Sequence, residues 1–93
     1  MGLDTVELVW EVEARFGITV TDADAVSCRT VGLLNHLVAR LVAERASAAA
    51  GHAILPEPVL TWPLLVPLVV EVGGVSAEKV RPAAEWGRDL GMG

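Results

Sequence analysis

Apolar residues recur at three- and four-residue intervals through the first half of the chain. This spacing is typical of helices that bury one face. The first set consists of Leu3, Val6, Val9, Val12 and Phe16. Gly17 follows at once and can end the helix, because glycine readily adopts the left-handed conformation found at helix C-termini. We therefore predict a helix over residues 3–16.

Two more helices are predicted before residue 46. Ile18 and Val20 alternate with threonines, which indicates a short extended segment. Thr21, with Asp24 three residues on, favours the start of a short helix, since the threonine can cap it. The next helix is predicted over 31–45 and begins near Thr30. Its apolar stripe is Val31, Leu34, Leu37, Val38, Leu41 and Val42.

Residues 46–60 are rich in alanine and serine and end in Pro56-Glu57-Pro58. Each proline disfavours helix at the residue before it, so we predict an exposed linker. Residues 61–72 are ambiguous. Thr61 can cap a helix with Pro63 in its first turn, whereas the valines would also suit a strand. We expect a helix with an irregular turn at its prolines, followed by a capped turn at 76–80.

Composition limits the classes of function. The 93 residues, 53% of them hydrophobic, suffice for one small domain. A net charge of −5 argues against nucleic-acid binding. The single cysteine, Cys28, excludes an intrachain disulfide and makes no zinc-ligand pattern with His36 and His52. The apolar run 64–70 is too short to span a membrane, and no signal peptide is visible. We expect a soluble, cytoplasmic protein.

The start of the chain resembles the second helix of bacterial acyl carrier proteins. Residues 2–9 read GLDTVELV, followed by Glu11 and by Phe16-Gly17-Ile18. The family reads DSLDTVELV and continues into an acidic helix that ends in F. Residues 22–31 resemble the family's short third helix and the TV that opens its fourth.

The end of the chain resembles the beginning of the same family. Gly74-Val75, Val80 and Asp89-Leu90-Gly91 match its pattern of a GV, a V five residues later, and DLG just before DSL. The two resemblances cover the whole chain apart from the linker. Laid together, they place the chain ends, DLGMG and GLDTVELV, at the family's prosthetic-group site.

The resemblance implies an all-α fold, a small four-helix bundle like that of acyl carrier proteins. The order is circularly permuted: helix II, III, IV, linker, helix I, long loop. Residues 1–93 then form one domain, with helices II–IV in 1–45, the linker in 46–60, and helix I and loop in 61–93. The last segment can pack on its own bundle or on a second copy, giving a domain-swapped homodimer. Both arrangements are open.

The family attaches 4′-phosphopantetheine to the serine of its DSL motif. Laid on that motif, Gly2 stands at the serine, and Met1 or Gly93 at the aspartate. Because glycine has no hydroxyl, we expect no cofactor here. The nearest hydroxyl on the helix belongs to Thr5.

Three acids, Asp4, Glu7 and Glu11, share one face of the first helix by their spacing. In the family this face docks on basic patches of carrier-protein-dependent enzymes, so the resemblance implies that these three residues bind a partner. The alternative is an ordinary solvated face. Glu13 is expected to be solvated. The tryptophans are expected in core or rim packing, with an interface as the alternative for Trp62 and Trp86. Cys28 is expected to be buried and His36 exposed.

The residues form no catalytic constellation, no metal cluster and no phosphate-binding glycine loop, so we expect no enzyme and no metal. We expect an acyl-carrier-protein-like module of fatty-acid or polyketide-type biosynthesis that acts through protein–protein interaction. Two alternatives stay open. One is a genuine carrier loaded at another residue or in a different assembly. The other is an unrelated small helical interaction domain.

Overall fold

Helices account for all the regular structure in the computed structural model, which describes residues 3–92. The elements are α1 (Leu3–Phe16), α2 (Asp22–Ser27), α3 (Val31–Ala50), α4 (Pro58–Gly73) and a 3-10 turn (Ala77–Lys79). The described residues form no β-sheet, and one isolated bridge joins Thr30 to Glu85. The predicted all-α class and the helix in the second half are confirmed.

The end of α1 is built as its sequence predicts, but with one unexpected contact. Gly17 has φ 65° and its N–H donates to the carbonyl of Glu13 at 3.0 Å. Ile18 and Val20 follow in extended form, and both are buried. The Glu13 carboxylate, expected to be solvated, accepts a hydrogen bond from the Val20 N–H at 2.9 Å. Glu13 therefore fixes the segment that leaves the helix.

Threonine caps set the starts of α2 and α3 where they were predicted. The Thr21 hydroxyl accepts from the Asp24 N–H at 3.1 Å, and the Thr30 hydroxyl accepts from the Leu33 N–H at 3.2 Å. The end of α3 was predicted too early. The helix continues to Ala50, since alanine is the best helix former, and Gly51 ends it with φ 76°.

The linker is therefore shorter than the predicted 46–60, and it folds back along α3. The Ile54 N–H donates to the Ser47 hydroxyl at 2.8 Å, and the Asn35 side-chain amide donates to the Pro58 carbonyl at 2.9 Å. Ser47 and Asn35 lie about 18 Å apart along a helix of this geometry. Residues 51–57 thus return the chain from the end of α3 to its first half, where α4 begins.

The first turn of α4 lies three residues before its predicted position. Glu57 is the N-cap and Pro58 the first residue, where a proline loses no hydrogen bond. Thr61, predicted as the cap, is buried inside the helix. Its hydroxyl donates to the Asn35 side-chain oxygen at 2.7 Å. This contact joins α4 to α3 through a pair of buried polar groups.

The helix α4 runs without interruption through Pro63 and Pro67, so the predicted irregular turn is wrong. Each proline removes one hydrogen bond within the helix. Both prolines are exposed, while Leu65 and Val69 on the opposite face are completely buried. Packing of that buried face compensates for the lost bonds.

The core lies between α1, α3, α4 and the C-terminal segment. Its fully buried side chains are Leu8, Val12, Val31, Val38, Leu65, Val69 and Met92. On α1 the buried line passes through Thr5, Leu8 and Val12, whereas Val6 and Phe16 of the predicted face are half-buried. The reason is that α1 packs mainly against α4, a contact that its own periodicity does not reveal.

The irregular segment 75–92 docks on the start of α3. The first N–H groups of a helix have no partner within the helix. Here the Val31 N–H donates to the Ala84 carbonyl at 3.1 Å and the Gly32 N–H to the Pro82 carbonyl at 2.8 Å. A Cβ atom on Gly32 would lie 2.7 Å from that Pro82 oxygen. Only glycine therefore permits this approach.

We predict that Gly32→Ala destabilises the fold by about 1–3 kcal/mol, because the added methyl group forces backbone away from the helix start. Urea unfolding followed by circular dichroism measures the change. The matched control is Gly87→Ala, where a Cβ would meet nothing within 4 Å. A Gly32→Ala chain stabilised by the roughly 1 kcal/mol that alanine offers in a helix would contradict this docking.

Candidate functional site

The outer face of α1 carries unneutralised acids. Glu7 and Glu11 are exposed and Asp4 is half-buried. Within residues 3–92, none of the three lies in an ion pair with a lysine or arginine. The one basic residue of α1, Arg15, lies in its last turn. The first three turns of the helix therefore present negative charge only.

An exposed tryptophan lies within this acidic face. Trp10 is 64% exposed, so the expectation that it packs in the core or at its rim is wrong. Together with Glu7 and Glu11 it lines a shallow depression of about 290 Å³. The other wall is formed by Glu71 and Val72 of α4. We call this depression, with Asp4 beside it on α1, the acidic notch.

Helical spacing alone could have placed Trp10 correctly, since it lies three residues after Glu7 on the same face. The contribution of α4 could not be predicted in this way. Glu71 comes from the other half of the chain, and its position depends on how α4 packs against α1. The structure therefore adds a fourth carboxylate to the three that the sequence identifies.

The chemistry of the acidic notch favours a cationic side chain. Carboxylates on both walls attract an ammonium or guanidinium group, and an indole face binds such a cation by a cation–π interaction. The exposed charges act weakly in water, but they act together at the encounter of two proteins. The residues that line the notch include no serine, cysteine or histidine.

A second cavity, of about 260 Å³, lies beside the first turns of α1. Its apolar wall is formed by Leu8, Val9, Ala25, Val26, Leu34 and Trp86. The Trp86 indole N–H donates to the Cys28 carbonyl at 2.7 Å, which fixes the ring against the turn between α2 and α3. Arg29 and Glu85 supply charged groups to the lining.

Cys28 is buried, as expected, and its thiol donates to the Asp24 carbonyl at 3.3 Å. Burial raises the pKa of the Cys28 thiol, the charge of Asp24 raises it further, and Arg40 acts in the opposite direction. The thiol therefore stays protonated at neutral pH and is a poor nucleophile.

The expected position of the missing serine, Gly2, lies outside the described residues, as do Met1 and Gly93. Of the hydroxyls on the described part of α1, Thr5 lies nearest to that position, and it is only 5% exposed. The Ser27 hydroxyl, at the end of α2, donates to the Ala23 carbonyl at 3.0 Å.

The described residues bring together no group of three His, Cys, Asp or Glu side chains able to hold a metal ion. His36 and His52 are both exposed. No helix within residues 3–92 has the length and apolar character needed to cross a bilayer.

Comparison of the chain with protein-family models, with curated proteins and with solved structures finds no match. The resemblance to acyl carrier proteins therefore rests on the motifs of this chain.

We predict that Cys28 reacts with iodoacetamide at least 10-fold more slowly in the folded chain than in urea, since the thiolate is the reactive species.

The raised pKa of the Cys28 thiol also makes the free energy of unfolding depend on pH. A raised pKa means that the folded state holds the thiol proton more tightly. The contribution is complete below the ordinary thiol pKa near 8.5 and is lost as the pH rises above it. The Cys28→Ala chain should lack this pH dependence of stability. Equal alkylation rates in the folded and unfolded wild-type chain would contradict the burial of Cys28.

Proposed function

We propose that this protein is an acyl-carrier-protein-like module of fatty-acid or polyketide-type biosynthesis. It binds carrier-protein-dependent enzymes of the cytoplasm through the acidic notch and does not itself carry 4′-phosphopantetheine. The observation that carries the proposal is an exposed, unneutralised acidic face on the helix that bears the motif GLDTVELV.

The charge pattern supports a basic partner. The acids Glu7 and Glu11 on α1 and Glu71 on α4 repel one another across the notch, and a cationic side chain from a partner relieves that repulsion. Trp10 supplies apolar contact area in the notch. Tryptophan is enriched among the residues that dominate binding energies at interfaces. Charge would then guide the encounter and Trp10 would hold the complex.

Two observations support the absence of the prosthetic group. Attachment requires an accessible hydroxyl at the start of α1, and Gly2 has none. Thr5, the nearest substitute, is buried, so its hydroxyl is poorly placed to accept a bulky phosphodiester. These facts weigh against the alternative of a genuine carrier loaded at Thr5.

The contacts of α4 are compatible with the permuted order. This helix, which corresponds to helix I of the family in our proposal, packs against both α1 and α3 of its own chain. The intrachain arrangement therefore needs no second copy to complete the core. Exchange of α4 between two chains would preserve the same contacts, and it stays a prediction.

We predict that a bacterial phosphopantetheinyl transferase binds this chain, and that Glu7→Lys with Glu11→Lys weakens binding at least 10-fold. Two reversed charges remove the attraction and introduce repulsion. Isothermal titration calorimetry at low and high salt measures the affinity. Wild-type binding should weaken with salt, because screening shortens the reach of these exposed charges.

The matched control reverses two exposed acids away from the notch, Glu44→Lys with Glu78→Lys, and gives the same net charge. We expect its affinity to change less than 3-fold. Equal losses of affinity in the two variants would mean that the net charge of the chain, and not the notch, determines binding. Absence of binding by the wild-type chain would contradict the proposal directly.

We further predict that incubation with the transferase and coenzyme A leaves the intact mass of the chain unchanged. The reason is that no accessible hydroxyl occupies the position of the family's serine. Electrospray mass spectrometry measures the outcome, with an ordinary acyl carrier protein in the same tube as the positive control. A mass gain equal to the phosphopantetheine arm would support a genuine carrier, and peptide mapping would locate the hydroxyl.

A further inference from the structure

The helix α4 carries apolar side chains on its outer face as well as on the face that packs into the core. The outer stripe consists of Val59, Leu60, Pro63, Leu64 and Pro67, all exposed and all on one side of the helix by their spacing. Val59 is 77% exposed, Leu60 60% and Leu64 46%. Leu55 in the linker, 78% exposed, lies just before it along the chain.

This stretch of the chain carries no charged side chain. Residues 58–70 contain no Asp, Glu, Lys or Arg, although the chain as a whole has a net charge of −5. The nearest charges along the chain are Glu57 before the helix and Glu71 near its end. A contiguous exposed apolar patch of this kind marks an interaction surface.

We propose that the outer stripe is the contact between two copies of this chain in solution. Two molecules of charge −5 repel wherever their acids face each other, and the uncharged stripe is a surface on which they can approach. Helices that cross at about 50° touch at their centres and diverge at their ends. Such a crossing places Pro63 and Leu64 at the contact and separates Glu57 of one copy from Glu71 of the other.

The size of the stripe sets the strength of the contact. Burying a leucine or valine side chain removes roughly 60–120 Å² of apolar surface from water. With their exposed fractions, the three aliphatic residues of the stripe and Leu55 offer roughly 250 Å² per copy. That is the apolar centre of a small interface, well below the roughly 800 Å² per partner of a standard one. The dimer is therefore weak and reversible, and it is populated only at high protein concentration.

A bilayer is a poorer occupant for the same stripe. Pro63 and Pro67 leave the carbonyls of Val59 and Pro63 without the N–H group that normally follows four residues later. Hydrocarbon cannot satisfy such carbonyls, whereas water at the rim of a protein interface can. The net negative charge also opposes an anionic lipid surface.

Sedimentation equilibrium from about 5 to 500 µM tests the proposal, because the upper end of this range populates a weak, reversible dimer. The wild-type mass should rise from 9.8 kDa towards twice that value. The variant Leu60→Glu with Leu64→Glu should stay monomeric throughout. The control, Val26→Glu with Leu33→Glu, adds the same charge at exposed positions on α2 and α3 and should dimerise within 3-fold of wild type.

Circular dichroism establishes that each variant is folded. A wild-type chain that stays at 9.8 kDa at every concentration overturns the proposal. A dimer that survives in the stripe variant also overturns it, and indicates exchange of α4 or another face. Equal loss of the dimer in stripe variant and control overturns it as well, since net charge would then explain the loss. None of these results depends on transferase binding.

Discussion

The start of α3 is held by carbonyl groups from the other end of the chain, and this contact organises the bundle. Val31 and Gly32 donate to Ala84 and Pro82, so the irregular segment 75–92 supplies what a helix N-terminus lacks. The approach requires a residue without a side chain at position 32, since a Cβ there would overlap the Pro82 carbonyl. The same docking places Trp86 beside the second cavity.

The consequences of that contact extend to α4. Once the segment is fixed to α3, Met92 is carried into the core, where a Cβ on Gly73 would lie 2.6 Å from its sulfur. The end of α4 is thereby fixed against the C-terminal residues, while its start is fixed to α3 by the buried pair Asn35 and Thr61. The position of α4 in turn sets Glu71 beside α1. The acidic notch therefore depends on contacts made far from it along the chain.

Local signals predicted the parts of the fold that local interactions determine. The starts of α2 and α3 follow from threonine caps at Thr21 and Thr30, and the end of α1 follows from Gly17. The predictions were wrong where tertiary packing determines the structure. The helix α4 tolerates two internal prolines because its opposite face is buried, and Thr61 acts in a contact with α3 instead of as a cap.

In the candidate site, too, some features follow from local sequence and others from tertiary packing. The period of α1 predicted Asp4, Glu7 and Glu11 on one face, and the structure places them there. The same period includes Trp10, but the residue type favours packing, and only its place on the helix face indicates that it is exposed. Glu71 could not have been predicted locally, since it reaches the notch through the packing of α4. The resulting surface combines charge for attraction with an indole for contact area.

In our proposal, a carrier-protein-dependent enzyme binds at this acidic surface. The most direct measurement is a titration of the ¹⁵N-labelled chain with unlabelled phosphopantetheinyl transferase, followed by amide and indole chemical shifts. We expect the largest changes on residues 4–11, on the indole N–H of Trp10 and on Glu71. The indoles of Trp62 and Trp86 should change little. Changes centred on the outer stripe of α4 or on segment 75–92, with residues 4–11 unaffected, would contradict it.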